Sequence, residues 1–137
     1  MPAAFKTLRD RRILIVDDSV QITSLLKEIF TECGATVVTA NSGRGALGKL
    51  QSEEFDLVIL DLVMPVPNGF DVLGFMRQTM PEMLERTILL TGDRYHQHLL
   101  HDIDETEVRV VFKPFNLRLL RSAACMLIKR ARSLGAA

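Results

Sequence analysis

The chain has 137 residues, is 47% apolar and balances 17 Lys and Arg against 17 Asp and Glu, for a formal net charge of zero. A single domain of this length buries about two-thirds of the surface its unfolded form exposes, so it folds without disulfides or structural zinc. Its apolar runs fall well short of the roughly 20 residues a membrane-spanning helix needs, and Cys33 and Cys125, set in apolar helical patterns without CxxC spacing or a signal peptide, read as buried thiols in a reducing cytoplasm.

Residues 1–10 read as an N-terminal extension, and Ile13-Leu14-Ile15-Val16 as a short branched strand covered on both faces. Ser19 then offers an N-cap to a helix whose apolar residues Ile22, Leu25, Leu26, Ile29, Phe30 and Cys33 recur at three- and four-residue steps until Gly34. Thr36 to Ala40 is a second strand, and Asn41-Ser42-Gly43 a turn into a helix through Ala46, Leu47 and Leu50. Leu57 to Leu60 is a third strand, followed by a Pro-rich loop and a helix from about Asn68 to Met80 that stops before Pro81. A fourth strand is expected over Arg86 to Leu90, a short helix over Tyr95 to Asp102, a fifth strand over Val108 to Phe112, and a long last helix over about 115–134. Strands alternating with helices predict an α/β fold: a three-layer (βα)5 unit over 11–134 with a five-stranded parallel sheet between helical layers, and no output domain in this chain.

Ligands of such sheets collect at the carboxyl ends of the strands. There the first strand runs into Asp17-Asp18, the third into Asp61, the fourth into Thr91-Gly92 and the fifth into Lys113-Pro114. A single Asp at a strand end is usually a cap or turn former, but four such positions at four strand ends are hard to attribute to caps. Three carboxylates in one crevice repel one another unless a cation compensates. Mg²⁺ is the simplest, since it binds oxygen ligands and keeps waters that phosphate oxygens can replace; no His and Cys cluster lies nearby for zinc. Carboxylates, a divalent cation, a hydroxyl and an ammonium group are the parts of a phosphoryl-transfer site that passes through an aspartyl phosphate.

In identity, order and spacing, Asp17-Asp18-Ser19, Asp61 with Met64-Pro65 and Gly69, Thr91-Gly92 and Lys113-Pro114-Phe115 resemble the receiver domain of two-component response regulators, the CheY-like superfamily, over roughly residues 11–132. The resemblance implies a doubly wound, flavodoxin-like fold with strand order 2-1-3-4-5. It makes Asp61 the phosphoacceptor, with Asp17, Asp18, Asp61 and the Val63 backbone carbonyl holding Mg²⁺. Thr91 and Gly92 would contact the phosphoryl group and Lys113 would pair with it, while Val63 and Asp93 fall where the family tunes phosphoryl lifetime. The implied donor is the phosphohistidine of a histidine kinase or a histidine phosphotransfer protein. The protein would then be a cytoplasmic signalling receiver, not an enzyme acting on external substrates, with phosphorylation changing its surface. A Mg²⁺-dependent phosphatase would need an acid two residues after the nucleophile, where this chain has Val63. A phosphorylation-independent interaction module with a retained receiver fold is the alternative.

Two departures accompany the resemblance. The family's switch aromatic, three residues before the lysine, is replaced by Val110, and Phe112 shares its parity but sits about 6.6 Å further along the strand. In place of the small pair usual before the fifth strand stands Asp104-Glu105-Thr106-Glu107. His96, His98 and His101 read as a solvated segment, and Met64, Met76, Met80, Met83 and Met126 as packing residues. The last helix carries Arg118, Arg121, Lys129, Arg130 and Arg132, and it leaves open a dimer through that helix or through the face of the fourth helix and fifth strand. With no helix-turn-helix after it, neither direct nucleic-acid binding nor membrane association is expected. The zero net charge is therefore a polar distribution: residues 1–12 hold four bases and one acid (+3), residues 13–112 seven bases and 16 acids (−9), and residues 113–137 six bases (+6).

Overall fold

The computed structural model describes residues 3–92 and 107–135, with side chains described for 6–92 and 107–131. Its elements are β1 (Arg12–Val16), α1 (Val20–Glu32), β2 (Thr36–Ala40), α2 (Gly43–Ser52), β3 (Leu57–Asp61), α3 (Gly69–Thr79), β4 (Thr87–Thr91), β5 (Arg109–Phe112) and α4 (Leu117–Gly135). All five strands pair in parallel in the order β2-β1-β3-β4-β5, the predicted doubly wound arrangement. The predicted helix over 95–102, the three histidines and Asp93 lie outside the described residues.

Continuous apolar strands arise because both faces of the sheet are covered. Alternate residues of β1 and β3, Leu14, Val16, Val58 and Leu60, pack with Ala46 and Leu50 of α2 and Val72, Leu73 and Met76 of α3. Ile13, Ile15, Leu57 and Ile59 point the other way, against Leu26 and Phe30 of α1 and Leu120, Ala124 and Ile128 of α4. Among the described residues, no helix is long and apolar enough to cross a membrane.

Local chemistry sets the element ends. The Ser19 hydroxyl accepts from the Ile22 N–H, so the anticipated cap forms, and Ser42, expected only as part of a turn, caps α2 by accepting from the Gly45 N–H. Gly34 takes a left-handed φ of 89°, ending α1 as expected. Asn68 and Asp71 close a reciprocal capping box on α3. The last helix begins two residues later than predicted, because Asn116 acts as its cap and accepts from the N–H groups of Arg118 and Leu119 at 2.8 and 3.2 Å.

Three features were not foreseen. A 3-10 helix, Pro81–Arg86, buries Met83 and Leu84 and delays the fourth strand by one residue, making Thr91 its last member. Residues 3–8 form another 3-10 turn whose Leu8 is fully buried beside α1 and α4. Met126 is 60% exposed and is not a packing residue: it falls on the outer stripe of α4, while Met64, Met76 and Met83 are buried.

Candidate functional site

Four strand ends bring the predicted residues together. Asp17 follows β1, Asp61 closes β3 and Thr91 closes β4, while Lys113 follows β5. Carboxylate oxygens of Asp17, Asp18 and Asp61 all lie within 4.8 Å of one another. Asp17 and Asp61 are buried and Asp18 is exposed, so the cluster opens to solvent on the Asp18 side. A cleft of about 310 Å³ lies over it, walled in part by Ile22, Val63 and Gly92. A larger hollow of about 480 Å³ at the opposite end of the sheet offers no comparable set, since its Arg12 is already paired with Glu53.

Lys113 joins the buried carboxylates: its Nζ lies 2.8 Å from Asp17 Oδ2 and 3.6 Å from Asp61 Oδ1. The backbone holds the rest. Ser19 N–H donates to Asp17 Oδ1 at 2.9 Å and Val63 N–H to Asp61 Oδ1 at 3.3 Å. Asp61 Oδ2 has no hydrogen bond or ion pair among the described residues. The Thr91 hydroxyl is buried and likewise has no hydrogen-bond partner among them. Burial pushes the Asp61 carboxyl up to about 6, with the Asp17 carboxylate adding to the rise and Lys113 opposing it. One ammonium thus leaves the three acids undercompensated.

The close approach of α3 depends on Gly69, where a Cβ would lie 2.3 Å from Asp61 O and 2.5 Å from Leu62 Cα. The loop before it is pinned in the same way, because a Cβ at Gly43 would lie 1.9 Å from Pro67 O. Sequence reasoning missed Asn41 and Thr23, whose side chains bond to each other and to the acidic loop; the Asn before a capping Ser was the one visible signal. Lys113, expected to pair with a phosphoryl group, here bridges Asp17 and Asp61.

On β5, Val110 pairs in register with Leu89 and Phe112 with Thr91. Val110 packs partly buried against the α2 and α3 side of the core, and Phe112 is 44% exposed. Neither is a buried ring at the family's aromatic position. Both cysteines are buried thiols outside any disulfide, as expected, and burial pushes both thiols up.

A family profile described as the response regulator receiver domain matches residues 13–124. This chain belongs to that receiver family. The receiver is 34% identical over 120 residues to the transcriptional regulatory protein CpxR of Escherichia coli K12, covering 88% of this chain and 50% of CpxR. It is 32% identical over 106 residues to the transcriptional regulatory protein TcrA of Mycobacterium tuberculosis H37Rv, covering 77% of this chain and 41% of TcrA. The receiver therefore spans about half the length, or less, of these curated relatives. Among solved structures it is similar to the response regulator TrrA of Thermotoga maritima in complex with Mg²⁺-BeF, at a TM-score of 0.74 and 36% identity over 85% of this chain and 98% of that one. It is also similar to the signal receiver domain of an HD domain-containing protein of Pseudomonas fluorescens Pf-5, at a TM-score of 0.80 and 30% identity over 91% and 99% of the two chains.

The receiver's acidic cluster fits a hard divalent cation on its own chemistry. Its donors are all oxygen, its charge is undercompensated, and it opens to solvent at Asp18.

Proposed function

We propose that Asp61 accepts a phosphoryl group from the phosphohistidine of a histidine kinase or histidine phosphotransfer protein, with Mg²⁺ held by Asp17, Asp18, Asp61 and the Val63 carbonyl. The observation that carries this reading is the meeting, at the strand ends, of three carboxylates, one bridging ammonium and a buried hydroxyl with no partner among the described residues. The Mg²⁺-BeF complex of TrrA, a receiver 36% identical to this one, supports it.

Asp61 Oδ1 is engaged by Val63 N–H and Lys113, so Oδ2 is the oxygen free to attack phosphorus. As the new P–O bond forms, the P–N bond of phosphohistidine breaks, and the departing imidazole nitrogen keeps the bonding electron pair and takes up a proton. Bound Mg²⁺ supplies charge neutralisation for the carboxylates and the transferred oxygens. Lys113 can turn from Asp61 toward a phosphoryl oxygen while still paired with Asp17, and the Thr91 hydroxyl donates to another. Phosphorylation replaces a carboxylate of charge −1 by an acyl phosphate of about −1.5 to −2 that carries three acceptor oxygens, and Thr91 and Lys113 carry that change to β4 and β5. The Val63 side chain offers no hydrogen bond to an attacking water, so the aspartyl phosphate hydrolyses at a slow-to-moderate rate.

Incubation with Mg²⁺ and acetyl phosphate, followed by intact mass measurement, tests the proposal. One added phosphoryl group is expected on the wild type and none on Asp61→Ala. An unmodified wild type, or equal modification of both, refutes it.

A further inference from the structure

We propose that Asn41 is a positioning residue for the acidic pair, a role that rests on the Mg²⁺-dependent phosphoryl acceptance proposed above. Asn41 follows β2 and is not a member of the carboxylate cluster, yet both hydrogens of its amide are committed inward. Nδ2 donates to the backbone carbonyl of Asp17 at 3.0 Å and to Thr23 Oγ1 at 2.9 Å. Thr23, 2% exposed, passes the connection on: its hydroxyl donates to Val20 O at 3.1 Å in the first turn of α1. One exposed amide therefore ties the end of β2, the peptide joining Asp17 to Asp18, and the start of α1.

That peptide is where the clamp matters. Lys113 and Ser19 N–H hold the Asp17 carboxylate, but the Asp18 carboxylate has no hydrogen bond or ion pair among the described residues. The direction in which Asp18 projects is set by its own backbone, and the Asp17 carbonyl is one end of the peptide plane that fixes it. Fixing the plane in advance removes an ordering cost from cation binding. Groups that orient ligands from outside the coordination sphere act in this way, and their removal typically weakens metal binding about 10- to 100-fold.

The test is calorimetric Mg²⁺ titration of metal-free protein, with thermal unfolding in EDTA alongside. Asn41→Ala should raise the Mg²⁺ dissociation constant about tenfold. Thr23→Val, which keeps the buried shape but leaves an amide hydrogen without its acceptor, should raise it in the same direction. Because the two residues form one connection, the double variant should bind no more weakly than Asn41→Ala alone. Modification of Asp61 by acetyl phosphate should recover to near the wild-type rate at saturating Mg²⁺. A dissociation constant for Asn41→Ala within about twofold of wild type overturns the proposal, as does full additivity of the two substitutions. Loss of EDTA stability with unchanged Mg²⁺ affinity makes the connection structural only and also overturns it. A wild type that binds no Mg²⁺ would instead bring down the proposed function on which the role of Asn41 rests.

Discussion

Asp61→Asn should make the metal-free protein more stable, even though it removes a polar group from the centre of the site. Asp61 ionises near 6 in the fold, against an ordinary value of 3.8, chiefly because it is buried and secondarily because Asp17 lies beside it. Between those two pH values the folded chain holds a proton that the unfolded chain has lost. Stability contributed by this group therefore falls as pH rises from about 4 to about 6, and the cost is fully present above that. A shift of this size corresponds to about 3 kcal/mol at pH 8 and roughly half that at pH 5. The asparagine keeps the shape without the charge, and Lys113 retains its 2.8 Å contact with Asp17. Urea unfolding in EDTA should show the variant more stable by up to about 3 kcal/mol at pH 8, and by roughly half that at pH 5. Saturating Mg²⁺ should erase the difference, because it stabilises the wild type selectively. An equal or lower stability of Asp61→Asn at pH 8 in EDTA would refute the reasoning.

Lys113→Ala should act in the opposite direction, leaving two buried carboxylates without their cation. A loss of about 2 kcal/mol in EDTA is expected from urea unfolding, below the value for a fully buried pair because the lysine side chain is 20% exposed. Gly69→Ala should cost about 2–3 kcal/mol by displacing the backbone of Asp61 and Leu62, and should slow acetyl phosphate modification, measured by intact mass over time. Val63→Asn, placed at a side chain 43% exposed beside Asp61, should shorten the aspartyl phosphate lifetime several-fold in a time course of phosphoryl loss by giving water a hydrogen-bond partner.

The carboxylates, the threonine and the lysine were legible because each sits where an apolar strand stops, and strands covered on both faces read plainly as Leu57-Val58-Ile59-Leu60 does. The Ser19 cap was legible for a similar reason, since its side chain acts within three residues of its own position. The 3-10 turn after Pro81 was not, because its six residues are too few to show a period and its burial of Met83 and Leu84 depends on packing against the sheet. Asn41 was passed over as a turn residue. Its partners are 24 and 18 residues away in sequence, and no local pattern could announce them.

Hydrophobic periodicity and local turn chemistry, both written in neighbouring residues, were enough for the α/β class and for the residues that end each strand, whereas the strand order came with the resemblance to the receiver family. The balance of charge came from the fold: Lys113 spans Asp17 and Asp61, the buried Thr91 hydroxyl has no partner among the described residues, Asp61 is held near 6, and the asparagine after β2 braces the acidic loop. Electrostatic energy depends on distance and burial between residues as much as 96 positions apart, and those quantities exist only once the chain has folded.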